Sequence, residues 1–312
     1  MSNPILALIP SGYKSQKVYS VLPSDGSGDF LFERNGKGTR VNKDGLIETI
    51  GTSVDDLARL DWLNNNCPSL LIEPLRTNRQ VRSEELDNAS WSKTNTTVTA
   101  NQTTAPTGEL TADKLSRTST AANYVAGILS KSASSQLDAV SSFFVKQGQG
   151  DFIAFRAQGS YPNRADAIFQ FSTKTLTTSV AGSNFSVTSS QVQDYGNGWF
   201  RLSIVYNTDA AANIQSILSP RATSGQIDAT DTSTTAFAYV WGVQFEEGST
   251  LSSYIETGSA ATTRLADVCS ITTPAGVAKI TETFADNTTN VITSIPTTYT
   301  VSNGLIKKII MD

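Results

Sequence analysis

Histidine is absent from all 312 residues. That removes every Cys/His zinc site and every nucleophile that relies on an imidazole base. Only two cysteines are present, Cys67 and Cys269, far apart and outside any C-x-x-C spacing, so no disulfide framework is expected. Charge is scarce: 17% of residues are Asp, Glu, Lys or Arg, and the net charge is −4. A duplex-binding protein needs clustered Lys and Arg to displace counterions, so nucleic acid is not an expected partner. The nearest thing to a basic patch, Arg76, Arg79 and Arg82, reads equally well as solvated surface. Long apolar runs are missing too. Ile5-Leu6-Ala7-Leu8-Ile9 has no cationic start and is closed by Pro10, too short for a signal-peptide core or a membrane span. The expectation is a chain made and kept in a cytoplasm-like compartment until something else carries it out.

What fills the gap is Thr, Ser, Asn and Gly, among aromatic and β-branched residues that persist along the whole length. Thr and Val suit a pleated, half-buried surface, and Gly, Asn, Asp and Pro recur between apolar runs as turn residues. The chain reads as all-β. Three regions differ in character. Residues 1–80 are dense in turn signals such as Pro23-Ser24-Asp25-Gly26-Ser27-Gly28, with short apolar pieces between them. They are expected to form an attachment and oligomerisation arm of short hairpins that packs on a neighbour. One helical turn or two is expected near Ser53-Val54-Asp55-Asp56-Leu57-Ala58-Arg59-Leu60, where Ser53 can cap.

Residues 81–262 carry steadier strand patterns, including Trp199 to Tyr206 after the Asn197-Gly198 turn and Ala236 to Val243 with small and large residues alternating. Short strands at intervals of about 8 to 15 residues point to an antiparallel sandwich or barrel rather than βαβ units. Gly148-Gln149-Gly150 between two apolar runs predicts a hairpin. Residues 263–312 form a C-terminal β extension, with Thr298 to Val301 and Leu305 to Met311 expected as a terminal hairpin. Its apolar last strand must be covered, by its own domain or by a partner subunit.

Three stretches carry a resemblance. The first runs from Leu8-Ile9-Pro10-Ser11-Gly12-Tyr13-Lys14 to Asp44-Gly45-Leu46-Ile47-Glu48. The second is Pro68-Ser69-Leu70-Leu71-Ile72-Glu73-Pro74-Leu75-Arg76-Thr77-Asn78, then Asn88-Ala89-Ser90-Trp91-Ser92-Lys93 and Thr111-Ala112-Asp113-Lys114-Leu115. The third is Asn197-Gly198-Trp199-Phe200-Arg201, then Val240-Trp241-Gly242-Val243-Gln244-Phe245-Glu246-Glu247-Gly248 and Ser252-Ser253-Tyr254-Ile255-Glu256-Thr257. Together they look like the head fibre or head spike proteins of phages of Bacteroidetes hosts, including the crAss-like group, whose central domain resembles carbohydrate-binding jelly rolls. Arg79-Gln80-Val81-Arg82 departs from that pattern, where such chains carry an apolar or Tyr-containing stretch. The resemblance implies a virion structural protein on the particle surface, assembled in the bacterial host cytoplasm. It also implies a homo-oligomer such as a trimer, other virion proteins as partners, and no catalytic motif.

The alternative is a carbohydrate-binding adhesin for a host surface glycan, with Trp91, Tyr161 and Tyr195 as candidate stacking residues. Against it, Trp91, Trp199 and Trp241 are most simply core or sheet-edge aromatics. A depolymerase is a third reading. It would need two carboxylates facing one another across a sugar, and the sequence neighbours Asp55-Asp56, Glu84-Glu85 and Glu246-Glu247 point to opposite faces of a strand. Asp25-Gly26-Ser27-Gly28-Asp29 is expected as a turn rather than a calcium loop, since it lacks the further acid ligands. No cofactor is expected, and a structural calcium ion would have ligands that the sequence does not identify.

Overall fold

A computed structural model describes residues 4–51, 56–63 and 67–312. Among the described residues there is no helix, and so none long and apolar enough to cross a membrane. The chain folds into two compact units, residues 77–263 and residues 1–76 together with 264–312.

The central unit is an antiparallel jelly-roll β-sandwich of two six-stranded sheets. The first sheet orders Trp91–Thr94, Tyr124–Ser130, Asn213–Arg221, Phe152–Gln158, Arg164–Gln170 and Thr175–Ala181. The second orders Thr96–Thr103, Ala112–Arg117, Phe237–Glu247, Asp138–Gln149, Trp199–Asn207 and Ser186–Asp194. Period-two alternation builds the core between them. Phe200, Leu202, Ile204 and Tyr206 point inward from one strand and meet Ile153, Phe155, Phe169 and Leu218 of the other sheet. Ser141 enters this core with its hydroxyl 2.9 Å from that of Tyr206, so neither polar group is left without a partner.

The Asn197-Gly198 turn is as expected, with φ of 51° and 80°, and it joins Ser186–Asp194 to Trp199–Asn207 as a hairpin. The hairpin expected at Gly148-Gln149-Gly150 is not formed. Asp138–Gln149 already has partners on both edges, Trp199–Asn207 and Phe237–Glu247, so Phe152–Gln158 passes to the other sheet. Gly150, at φ 116°, turns the chain there with its backbone against Arg221, where a Cβ would lie 2.5 Å from a carbonyl oxygen.

The flanking unit corrects the reading of residues 1–80 as a separate arm and of 263–312 as a separate extension. Gly304–Met311 does not form a hairpin with Thr298–Thr300. It runs through the middle of a sheet, paired with Ile280–Phe284 on one edge and with Ser69–Ile72 and Leu6–Leu8 on the other. Thr298–Thr300 pairs instead with Val268–Thr272, which continues to Phe30–Glu33 in a second sheet. Leu6, Leu8, Phe30 and Leu70 from the first segment close one core with Ile280, Tyr299, Ile306 and Ile309 from the last. The helical turn expected near residue 53 falls partly outside the described residues; of the rest, Arg59–Asp61 is a strand.

Charge joins the same two segments. Asp267 accepts from Arg34 Nη1 at 3.0 Å and from Arg59 Nη2, while Arg59 Nη1 lies 2.6 Å and Arg264 Nη2 3.4 Å from Glu73 Oε2. All five side chains are buried or nearly so.

Candidate functional site

The outer face of the first sheet is covered in part. Ala126, Ala154 and Ile217 lie under Ile227, carried by the segment that follows Arg221. Beyond them a row of side chains crosses four strands in register: Ile128 opposite Gln215, Gln215 opposite Gln158, Gln158 opposite Arg164. Alternation sets this row. Ile214, Ala157 and Ala165 turn into the core, so their neighbours Gln215, Gln158 and Arg164 turn outward. Ile128, Gln215 and Gln158 of this row floor an open cleft of about 320 Å³, lined also by Ser160, Asn213 and residues 211–212, and Arg164 continues the row next to it.

Buried Asp209 shapes its wall. Its carboxylate accepts from the Ser160 amide at 2.8 Å, Asn163 Nδ2 at 3.2 Å and the Ala211 amide at 3.1 Å, fastening two loops together. Gly159 allows this closeness, because a Cβ there would lie 2.2 Å from an Asp209 oxygen. Lys131 supports the same loop, donating to the Asp209 carbonyl at 2.5 Å and to the Ser135 carbonyl at 2.7 Å. Burial lowers the pKa of that ammonium, and the acids Asp209 and Glu247 oppose the shift. Next to the floor, Asp166 bridges Arg156 at 2.6 Å and Arg164 at 3.0 Å, which fixes the Arg164 guanidinium beside the cleft.

Tyr161 stands in the turn between the two strands at the rim, 77% exposed, with the Arg164 guanidinium 5.8 Å from its ring centroid. The three candidate aromatics are not brought together. Trp91 is 1% exposed and faces the sandwich core, its indole nitrogen donating to the Arg82 carbonyl at 3.0 Å, so it offers no ring face to a glycan. Tyr195 is half-buried on the opposite sheet, edge-on to Phe144 with ring centroids 4.9 Å apart. Gln158, Asn213, Gln215 and Arg164 were not among the candidates. Their outward parity was readable from the alternation, but which strands lie side by side was not.

The acid pairs are used elsewhere. Glu246 is buried and accepts from Ser252, Glu247 pairs with Arg79 at 3.1 Å, and Glu85 pairs with Arg82 at 2.8 Å. Glu84 accepts from the Tyr254 hydroxyl at 2.8 Å, and Asp56 caps the Arg34 amide at 2.7 Å; Asp55 lies outside the described residues. Arg79 and Arg82 are therefore ion-paired rather than a free basic patch. Asp25 accepts from Ser27 at 2.9 Å and Asp29 from the Ser20 amide at 3.0 Å, as in an ordinary turn. Among the described residues no three His, Cys, Asp or Glu side chains are grouped to hold a metal. The cleft offers amides and a hydroxyl, with a fixed guanidinium and an exposed ring next to it. Such groups hydrogen-bond and stack on a polar, ring-shaped ligand.

No family model and no curated protein matches the chain. Solved structures with some likeness include the enzymatically active domain of tailspike protein 4 of bacteriophage CBA120, at TM-score 0.34 and 13% identity over 55% of this chain and 21% of that one. This chain thus spans about a fifth of that domain. A putative sugar-binding protein from Bacteroides thetaiotaomicron gives TM-score 0.32 at 9% identity, covering 55% of this chain and all of that one. The CBM22-1 and GH10 modules of Clostridium thermocellum xylanase 10B, complexed with xylohexaose, give 0.31 at 16%, covering 59% and 30%.

Proposed function

We propose that the protein is a non-enzymatic structural subunit of a bacteriophage particle that presents its jelly roll as a glycan-binding module. The observation that carries the binding reading is the cleft: a polar row in register, walled by loops pinned to Asp209, with Tyr161 exposed at its rim. Preorganised loops and a fixed guanidinium reduce the ordering cost of binding. Presentation is supported by the chain path, since the sandwich begins and ends side by side, with the Thr77 and Thr263 hydroxyls 2.8 Å apart. A module inserted in this way needs no change in its own core to be carried by another body. The particle assignment, with a head fibre role and a homo-oligomeric state, rests on the resemblance of the three sequence stretches described above.

The test is a host-glycan array probed with the full chain and with Tyr161→Ala and Gln158→Ala. Binding by the parent that falls at least tenfold in both variants is the expected result. Silence across host glycans, or binding indifferent to both changes, defeats the glycan reading. Labelling intact particles with an antibody to residues 77–263 checks the particle assignment separately.

A further inference from the structure

The second sheet has its own outer face, and its middle strands are covered there over much of their length. Trp199 donates to the Thr104 carbonyl at 3.0 Å and Trp241 to the Thr111 hydroxyl at 3.1 Å, while Tyr254 packs on Trp241 with ring centroids 4.4 Å apart. One end stays open. There Lys114, Tyr239 and Lys146 stand in register on three adjacent strands, and one step along Phe237 stands opposite Ser116. All are half-buried rather than covered.

Two features show that this end is a shaped platform. One edge of the Phe237 ring lies over Gly148, where a Cβ would come within 2.2 Å of it, so the ring lies where a side chain would otherwise stand. The Lys114 ammonium sits 3.9 Å from the centroid of the same ring, a cation–π distance that places the charge at the surface. Neither Lys114 nor Lys146 forms an ion pair with a carboxylate among the described residues. The two cations flank the phenol at a spacing of about 10 Å between Cα atoms, two interstrand steps. Thr99 in register beside Lys114, and the next pair Thr97 and Ser116, bring hydroxyls and no acid, and Trp199 stands in register beside Lys146.

We infer that this end of the second sheet, centred on Lys114, Tyr239 and Lys146, is a second binding site that takes an acidic polysaccharide. Two lysines on a chain of net charge −4 answer a ligand whose carboxylates are spaced along a polymer. They are too few for a nucleic-acid backbone, which needs many neutralised phosphates. The rings and hydroxyls between them suit the faces and hydroxyls of uronic acid rings. The site lies on the opposite sheet from the Tyr161 cleft and does not depend on it.

Affinity electrophoresis of the full chain in gels containing polygalacturonate, with dextran as the neutral control, tests this. Retardation by polygalacturonate alone, weakening as salt rises, is expected. Lys114→Gln with Lys146→Gln should weaken it at least tenfold, as should Tyr239→Ala, whereas the double Lys→Arg exchange and Tyr161→Ala should leave it within about twofold. All of these residues are partly exposed, and an unchanged melting curve certifies each variant. No retardation of the parent overturns the inference, as does retardation that survives the double Gln change. A preference for oligodeoxythymidylate over polygalacturonate overturns it too.

Discussion

Asp267 is a single carboxylate paired with three buried guanidinium groups, those of Arg34 and Arg59 and, at 3.8 Å, that of Arg264. Such pairing gives little net stability compared with apolar packing, but removing one partner leaves uncompensated charge in a dry interior. Asp267→Ala is therefore expected to cost about 3–5 kcal/mol, read as a shift in the urea midpoint of the unit that holds it. Glu84 behaves in the opposite sense. Burial raises its carboxyl from 4.5 to about 7, Glu256 and Glu85 add to the shift, and the Tyr254 hydrogen bond opposes it. The folded state thus holds the proton more tightly than the unfolded chain. There is no penalty below about pH 4, and stability falls as pH rises from 4.5 towards 7. A shift of that size is worth at most about 3 kcal/mol once the group ionises. Glu84→Gln keeps an acceptor for Tyr254 without the charge. Its melts should match the parent at pH 4 and exceed it at pH 8; an equal advantage at both values excludes this account.

Among the strands, the alternation of apolar and polar residues was enough to find the sandwich. Phe200, Leu202, Ile204 and Tyr206 announce one inward face without knowledge of what they meet. Pairing was less legible. The run Gly148-Gln149-Gly150 has the composition of a hairpin turn, and nothing local reveals that both edges of Asp138–Gln149 are taken by strands some 50 and 100 residues away. The cleft was hidden for the same reason. Gln158 and Gln215 become neighbours only when Phe152–Gln158 pairs with Asn213–Arg221. What covers Trp91 and Tyr195 likewise depends on partners that no local pattern announces, the sandwich core for Trp91 and Phe144 for Tyr195. A test at this scale is Gly242, which sits at φ 62° where the pairing of Asp138–Gln149 with Phe237–Glu247 shifts register. A Cβ there would meet the Phe144 and Tyr254 rings at 3.0 Å. The left-handed backbone costs alanine about 1–2 kcal/mol, and the crowding about 1 more, so Gly242→Ala should lower the melting temperature of the sandwich by several degrees.

For the molecule as a whole, the division into two units decides what can be cut away. Residues 77–263 contain every strand of both sandwich sheets and their shared core, so this piece should fold alone and unfold in one cooperative transition. The flanks have no such independence. Ser69–Ile72 and Leu6–Leu8 occupy one edge of Gly304–Met311, and Phe30 and Leu70 close the core over Ile306 and Ile309. The ion cluster tells the same story, since Arg34, Arg59 and Glu73 precede the sandwich in sequence while Arg264 and Asp267 follow it. Deleting residues 1–76 should therefore do more than detach an arm. It strips one edge from Gly304–Met311, bares Ile306, Ile309 and Met311, and leaves an apolar edge free to pair with another copy. Size-exclusion chromatography of that deletion should show aggregation or association, and limited proteolysis should remove residues 264–312 while sparing the sandwich. A monodisperse deletion with a protease-resistant C-terminal segment would mean that the last strands need no help from the first. The N-terminal segment would then be a detachable arm.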